Sequence, residues 1–349
     1  MKTRITELFG TKYPIIMGAM YWIASPELVA AICNAGGLGL YPISGDTPEQ
    51  AREAIRKIKS LTDRPFGVNQ MLAFPLAKEK INIVLEEKVP VIEYGLGRPW
   101  FIDKVHAYGG KVIAKLSIIK HAMKAEQLGV DAVNLVGFEG AGHPTYVTTM
   151  VLIPLARKSV KIPIIASGGI SNGRGLAGAL ALGADGVIMG TRFAVSKESR
   201  LHESWKQRIV AASEQDTTYM DTGDPTANMR AFNTKRMYAD LKKRLPIFEA
   251  MSAAMETKKL LNLSWFDMIR AGLNTGGEEG MSMKGKILFA ASAMRSEQVM
   301  IHGNEEVGVL TAGQCVGDIK DIPTCQEIID RTMAEAEEVF KQIQKNVMA

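Results

Sequence analysis

The stretch IPIIASGGISNGRGLAGALALGADGVIMGTRF, residues 162–193, decides the fold of this chain. It contains two apolar runs, 162–169 and 185–191, with a helical pattern of small residues between them. Apolar runs that do not alternate with polar residues are typical of strands covered on both faces. A buried strand, a helix and a second buried strand form a β-α-β unit, so the stretch predicts neighbouring parallel strands.

The same alternation extends back to the amino terminus. Further apolar runs lie at 14–20, 37–42, 65–71, 89–95, 111–116 and 131–137, and several of the helical patterns between them begin at Ser or Thr and end at Gly. Eight such units in series predict an α/β chain folded as a (β/α)8 TIM barrel. A doubly wound sheet is the alternative, but the first run is followed by MYWIASPEL rather than by G-x-G-x-x-G.

After residue 200 this rhythm changes. Residues 203–300 read as helices rich in methionine, for example FEAMSAAMETKKLLNLSWFDMIRAGL, and residues 321–344 read as a charged amphipathic helix. A methionine stripe of this kind indicates core packing more often than a cofactor site. We therefore predict a barrel over residues 1–202, a helical insertion or cap over 203–304, and a carboxyl-terminal segment over 305–349 that returns to the barrel.

Composition excludes several classes of protein. The chain has 349 residues, a hydrophobic fraction of 46%, a net charge of +5 and three cysteines, with no C-x-x-C pair. An odd number of scattered cysteines argues against a disulfide framework or a zinc site, and indicates the cytoplasm. No apolar run is long enough to span a membrane, the amino terminus lacks an apolar signal-peptide core, and no basic block with interleaved aromatic residues indicates nucleic acid.

Two glycine-rich turns are candidates for binding a phosphate. ASGGISNGRG follows the seventh predicted strand and IMGTRF follows the eighth, which is where many barrels bind phosphate. Glycine lets the backbone approach an anion closely, and amides at a helix start point towards it. Gly168, Gly169, Gly190 and Thr191 are the predicted phosphate residues; the alternative is that these glycines only form tight turns.

Several motifs in order resemble those of a known superfamily. They are YPIIMGAMYWIASPELVAAICNAGGLG, KIKSLTDRPFGVN, GFEGAGH, VTTMVL, IPIIASGGISNGRG, ALGADGVIMGTRF and LTAGQCVGDI. Over about residues 1–200 and 305–330 the chain resembles the FMN-dependent barrel enzymes of the nitronate monooxygenase (2-nitropropane dioxygenase) superfamily, which includes the flavin-type enoyl-[acyl-carrier-protein] reductases. The segment LSWFDMIRAGL…ILFAASA…GNEEVGVLTAGQ resembles a subgroup that acts on CoA thioesters in steroid-ring degradation.

The resemblance implies an FMN and residues that hold it. Asn69 would contact the flavin, the backbone at Ala19 and Met20 would line its ring system, and Gly168, Gly169, Gly190 and Thr191 would bind its phosphate. We also assign Gly142, Ser167 and Gln314 to the cofactor site. One departure from the family pattern is Val136, which stands where the family usually has glutamine and removes a side-chain contact to the flavin.

His143 is the predicted catalytic residue, because it matches the active-site histidine of the superfamily. An imidazole gives or takes a proton near neutral pH, since its ordinary pKa is about 6.5. The alternative is a loop histidine that only hydrogen-bonds the backbone. Lys115, near the end of the fifth predicted strand, is a second candidate: it either points into the barrel, where a cation would stabilise the reduced flavin, or faces the helices and reaches solvent.

Tyr21 and Trp22 follow the first predicted strand and are candidates for the wall of the substrate pocket, with packing under the cap as the alternative. Glu139 either anchors the histidine loop or is solvated. We expect an FMN-dependent oxidoreductase that uses NADH or NADPH to act on an enoyl or oxoacyl thioester of CoA or acyl carrier protein. We also expect the protein to form a homodimer. A nitronate monooxygenase that uses O2 is one alternative, and a flavin-binding protein without turnover is another.

Overall fold

Eight parallel strands form a closed barrel in the computed structural model, which describes residues 1–142, 144–221, 228–235, 237, 255 and 297–347. Each strand pairs with the next in sequence, and the last pairs with the first, Ile16 lying opposite Ile188. Every strand falls within one of the apolar runs, which confirms the predicted TIM barrel. The strands are β1 (Ile15–Met17), β2 (Leu38–Pro42), β3 (Gly67–Met71), β4 (Val91–Gly95), β5 (Lys111–Leu116), β6 (Ala132–Val136), β7 (Ile164–Ser167) and β8 (Gly186–Met189).

Helices surround the barrel, and one of them closes the end at which the strands begin. Those described are α1 (Arg4–Phe9), α2 (Pro26–Asn34), α3 (Pro48–Leu61), α4 (Ala77–Glu86), α5 (Ile102–His106), α6 (Ile119–Gln127), α7 (Thr149–Ser159), α8 (Gly173–Ala181), α9 (Thr191–Ala194), α10 (Glu203–Val210) and α11 (Cys325–Val347). None of them combines the length and the apolar character needed to span a bilayer.

The barrel interior contains a small apolar cluster. Ile5 and Phe9 of α1 belong to it, so α1 closes the amino-terminal end of the barrel. The strands contribute their inward-facing residues, which alternate with residues packed against the helices. The other buried members of the cluster are Ile16, Leu38, Leu40, Val91, Ile113, Ala132, Ile165 and Ile188.

The helix starts follow the capping chemistry that the sequence predicts. Ser25 caps α2 by accepting a hydrogen bond from the Leu28 amide at 3.2 Å. At α3, Thr47 and Gln50 form a reciprocal capping box, in which each side chain accepts from the other residue's amide. These bonds satisfy amides that have no partner within the helix, and each typically contributes about 1 kcal/mol.

The chain beyond residue 200 departs from the prediction that it is helical. After α10, residues of β9 (Thr217–Met220) pair antiparallel with β10 (Met229–Phe232). The Thr-Thr-Tyr and Arg-Ala-Phe sequences of these strands have the β-branched and aromatic residues that strands favour, and the run is too short for its period to be read reliably. The methionine-rich stretch that prompted the helical interpretation lies outside the described residues, apart from Met255, and the domain boundaries remain predictions.

The last helix completes the ring around the barrel. α11 packs against both α8 and α2, so it occupies the eighth outer position although a long stretch of chain separates it from β8. Gly173 lies where α8 meets α11, and its amide donates to Glu335 Oε2 at 2.8 Å. A Cβ at Gly173 would lie 2.4 Å from Thr332 O, whereas a Cβ at Gly178 on the same helix would meet nothing within 4 Å.

This contrast predicts opposite effects for two glycine-to-alanine substitutions in α8. Gly178→Ala should stabilise the protein by about 0.5–1 kcal/mol, because alanine loses less backbone entropy in a helix. Gly173→Ala should destabilise it by about 1–3 kcal/mol, because α11 must move. Thermal unfolding followed by circular dichroism measures both. A Gly173→Ala variant at least as stable as the Gly178→Ala variant would contradict the packing described for α11.

Candidate active site

The carboxyl ends of the strands open into a cavity of about 310 Å³. In TIM-barrel enzymes this face carries the active site, because the loops that follow the strands converge there. Most of the residues predicted from the sequence to form the site line this cavity. They are Ala19, Met20, Tyr21, Asn69, Lys115, Gly142, Ser167, Gly168, Gly169, Gly190 and Thr191.

Three predicted residues stand apart from that group. His143 lies outside the described residues, between Gly142, which lines the cavity, and Pro144. Within the described part of the chain, Trp22 and Gln314 are not among the lining residues, although Tyr21 and Gly313 beside them are. The backbone amide of Gln314 donates to the backbone oxygen of Glu139 at 2.9 Å, so the segment around Gln314 does reach the mouth of the barrel.

Lys115 faces the barrel interior. Ile113, two residues earlier on β5, belongs to the interior cluster, and side chains on a strand alternate between its two faces. Lys115 also lines the cavity and lies in register with Asn134 of β6. Of the two orientations that the sequence left open, the structure has the one in which Lys115 lies on the inner face of β5 and lines the cavity.

A buried polar layer lies across the barrel above its apolar cluster. Glu93 of β4 is 1% exposed, and its carboxylate accepts hydrogen bonds from Asn69 Nδ2 at 2.6 Å and from Asn134 Nδ2 at 2.7 Å. These two hydrogen bonds fix the orientation of both asparagine amides. Glu93 and Asn134 were not among the residues predicted from the sequence, although each is a polar residue within an apolar run and could have been singled out on that ground.

The two glycine turns form one side of the cavity. Gly168 and Gly169 have φ values of +104° and +74°, which other residues rarely adopt. Gly190 has an ordinary φ, and a Cβ there would meet only Met20 Sδ at 3.8 Å. The turn after β8 is held by Thr191, whose Oγ1 accepts from the Gly313 amide at 3.0 Å. The first two glycines are therefore required by their turn, whereas Gly190 borders open space.

The loop before α7 is anchored by Glu139. Its carboxylate accepts from the Thr149 amide at 2.9 Å and from the Thr149 hydroxyl at 2.9 Å. The same hydroxyl lies 3.1 Å from Gly168 O, so this contact connects the loop to the turn after β7. Between the two interpretations of Glu139, the structure supports the anchor. Gly137 allows this close approach, because a Cβ there would lie 2.1 Å from Thr149 Oγ1.

A buried lysine supports the loop beside Tyr21. Lys80 of α4 is fully buried, and its ammonium group donates to Ser44 O at 2.6 Å and Asp46 O at 3.3 Å. Burial lowers the pKa of Lys80 to about 8 and raises the pKa of Asp46 to about 6. Burial also raises the pKa of the Tyr21 phenol, whose ring stacks on Phe74. Nothing in the sequence LAKEKINIV distinguishes Lys80 from a surface lysine.

The Glu93 layer predicts a specific loss of stability. Glu93→Gln should lower the free energy of unfolding by about 1–3 kcal/mol, because a glutamine oxygen can accept from only one asparagine while its own NH2 group faces the other. Urea denaturation measures the change. Glu53→Gln on the exposed face of α3 is the matched control and should change stability by no more than about 0.5 kcal/mol. Equal midpoints for the two variants would show that Glu93 does not organise the interior.

A family model and two named proteins are similar in sequence to this chain. A family model described as nitronate monooxygenase matches residues 2–79 and 70–335. A Rhodococcus jostii protein named (3aS,4S,5R,7aS)-5-hydroxy-7a-methyl-1-oxo-octahydro-1H-indene-4-carboxyl-CoA dehydrogenase is 37% identical over 344 residues, covering 96% of each chain. A Staphylococcus saprophyticus protein named probable nitronate monooxygenase is 31% identical, covering 64% of this chain and 78% of its own.

A solved structure agrees with these sequence relationships. FabK from Thermotoga maritima superposes on this chain with a TM-score of 0.81 and 33% identity, covering 99% of this chain and 100% of FabK. The similarity therefore includes the chain beyond the eight strands as well as the barrel. Because the family model covers most of the chain and full-length relatives match it nearly from end to end, the chain belongs to the nitronate monooxygenase family and is an oxidoreductase.

Proposed function

We propose that this protein is an FMN-dependent oxidoreductase that uses NADH or NADPH to act on an enoyl or oxoacyl thioester of CoA or acyl carrier protein. The mixed lining of the cavity carries the proposal. Its barrel side offers the polar groups of Asn69, Lys115 and Ser167. The chain after β8 adds an apolar wall, which suits an acyl body attached to a polarised carbonyl. That wall consists of Leu201, Ile209, Met229, Met300, Val309 and Leu310.

The extent of the similarities supports the same substrate class. The relative named a CoA dehydrogenase matches 96% of this chain, whereas the relative named a probable nitronate monooxygenase matches 64%. Because the first relative matches nearly the whole chain, its similarity includes the segments after β8 that line the cavity. An activity shared with that relative would use those segments. This comparison favours thioester chemistry over nitronate chemistry, and it leaves the acyl group open.

The residues around the cavity fit an FMN. A Cβ at Gly190 would meet only Met20 Sδ at 3.8 Å, so the turn after β8 leaves space at the cavity wall that a phosphate could fill. The turns at Gly168, Gly169 and Gly190, with Thr191, would hold the phosphate. Asn69 and the backbone at Ala19 and Met20 would contact the ring system. Gly142 and Ser167 also line the cavity, and Gln314 adjoins it.

The chain's own groups would then supply the proton chemistry. FMN, when bound, would relay a hydride between the nicotinamide and the thioester. In the reductive direction His143 would donate the accompanying proton to the carbon next to the thioester carbonyl. Lys115 would stabilise negative charge that develops in the cavity, where a low dielectric strengthens its effect. Tyr21 would form part of the substrate wall, with Trp22 behind it.

Nitronate oxidation is the second candidate function, because the family description itself names that activity. In that reaction a nitronate would reduce the flavin and O2 would reoxidise it, with no role for a nicotinamide. The same cavity residues would hold the flavin. The two functions therefore differ in the electron donor, which a direct measurement can distinguish.

The phosphate assignment predicts that Gly190→Asp retains the fold and loses the flavin. The space beside Gly190 accommodates a side chain, but a carboxylate there would face the phosphate and repel its negative charge. We expect FMN to bind at least about 100-fold more weakly, equivalent to a penalty of about 3 kcal/mol. Gly190→Ala is the steric control and should retain more FMN. Fluorescence titration of the apoprotein measures both; full FMN occupancy in folded Gly190→Asp would refute the assignment.

The acid-base assignment predicts that His143→Ala separates two half-reactions. Reoxidation by the thioester should slow by about 10²–10⁴-fold, the usual cost of losing a positioned acid. Bleaching of the flavin absorbance by NADH or NADPH should survive, because that step requires no proton from the imidazole. His106→Ala, on α5 and paired with Asp131, is the control and should retain both rates. Turnover of the thioester by His143→Ala at the wild-type rate would show that His143 takes no part in catalysis.

A further inference from the structure

The β9–β10 hairpin is bonded to both sides of the proposed acid-base residue. The Arg230 amide donates to Gly142 O at 3.2 Å, and the Tyr219 hydroxyl donates to Pro144 O at 3.3 Å. Gly142 and Pro144 are the chain neighbours of residue 143. The hairpin therefore restrains the path of the backbone immediately before and immediately after His143.

The Arg230 side chain strengthens this attachment from within the protein. Arg230 is 3% exposed, its Nε donates to Phe138 O at 3.2 Å, and its guanidinium lies 4.7 Å from the centroid of the Phe138 ring. Nη1 donates to Thr217 Oγ1 in β9 at 3.4 Å. Burial lowers the pKa of Arg230 while Glu139 opposes that shift, and an arginine stays charged in either case. One cation thus joins the start of the loop to both strands of the hairpin.

Aromatic contacts cover the outside of the same junction. The Tyr219 ring lies 5.0 Å from Phe138 and 5.2 Å from Tyr146, and the Tyr146 hydroxyl donates to Asp221 Oδ2 at 2.9 Å. Further along the same edge of β10, the Phe232 amide donates to Leu310 O at 2.8 Å, which bonds the hairpin to the segment that returns to the barrel. The edge of β10 that faces away from β9 is therefore bonded to both the loop and the returning segment, so the hairpin is fixed relative to the barrel next to the loop.

We propose that Arg230 is a positioning residue that sets the geometry of loop 137–149, and through that loop the imidazole of His143. This inference rests on the proposed function, because it assumes that His143 handles the proton. Displacing an acid by about 1 Å can cost on the order of 100-fold in rate without altering binding. Arg230 donates hydrogen bonds to the loop backbone at Phe138 O and Gly142 O. Its effect on proton transfer would therefore pass through the backbone at residues 138 and 142.

The matched test compares Arg230→Met with Arg208→Met. Arg208 also stacks on aromatic rings, those of Trp205 and Phe232, but it pairs with Glu305 instead of the loop. Arg230→Met should lower kcat for the thioester by about 10- to 100-fold while both KM values and FMN content stay within about twofold of the parent. Arg208→Met should leave kcat unchanged, and Arg230→Lys should restore part of the rate. Equal kcat values for the two methionine variants would overturn the inference.

A double substitution separates positioning from a general loss of structure. In the His143→Ala background, Arg230→Met should cause no further loss in thioester turnover, because the residue it positions is gone. Full multiplication of the two losses would overturn the inference while leaving the acid-base role of His143 intact. If His143→Ala alone has no effect, the acid-base role proposed for His143 fails instead. Should Arg230→Met prove insoluble, Tyr219→Phe removes the hydroxyl that bonds Pro144 O and keeps the ring. This variant should lower kcat by about 3- to 10-fold, and no loss would overturn the inference.

Discussion

Closure of the barrel by the pairing of β1 with β8 brings the described residues of the candidate site together. Once the eight parallel strands close, their carboxyl ends meet at one mouth, and the loops that follow them have no other place to converge. Asn69, Lys115, Ser167 and Gly190 are far apart in sequence, yet all of them line the same cavity. Within the barrel, alternation along each strand then selects which side chains point inward.

The chain after β8 completes the mouth of the barrel. The hairpin contacts the histidine loop, the returning segment bonds to Thr191 and Glu139, and α11 fills the last position in the outer ring. Glu139 in turn holds Thr149, whose hydroxyl reaches the turn after β7. The proposed acid-base loop, the proposed phosphate turns and the apolar wall are therefore parts of one connected frame.

Local patterns predicted the parts of this protein that depend on local chemistry. The eight apolar runs became strands, and Ser25 and Thr47 capped helices, because burial on both faces and capping are properties of short segments. Tertiary contacts decide the rest. Lys80 has the sequence context of a surface lysine but is buried and donates to loop carbonyl oxygens. The role of Glu93 depends on its hydrogen bonds to two asparagines on other strands, which its own strand sequence does not indicate.

The hairpin shows the same division. Its strands are short, so their period could not be distinguished from that of a helix. One of them, β10, also bridges to residues 142 and 311, which lie in loops far away in sequence. Lys115 was identified from its position in β5, but its direction could be settled only by the alternation of neighbours in the closed barrel. The flavin chemistry proposed for these contacts rests on the resemblance to a superfamily of flavin enzymes.

Anaerobic flavin absorbance of the purified protein tests the central claim most directly. NADH, NADPH and a nitronate are each added alone to the oxidised protein, and an enoyl thioester is then added to whatever becomes reduced. The account predicts a yellow protein that contains FMN, is bleached by a nicotinamide and recovers its colour with the thioester. Bleaching by the nitronate but by neither nicotinamide would contradict it, as would a colourless protein that takes up no added FMN.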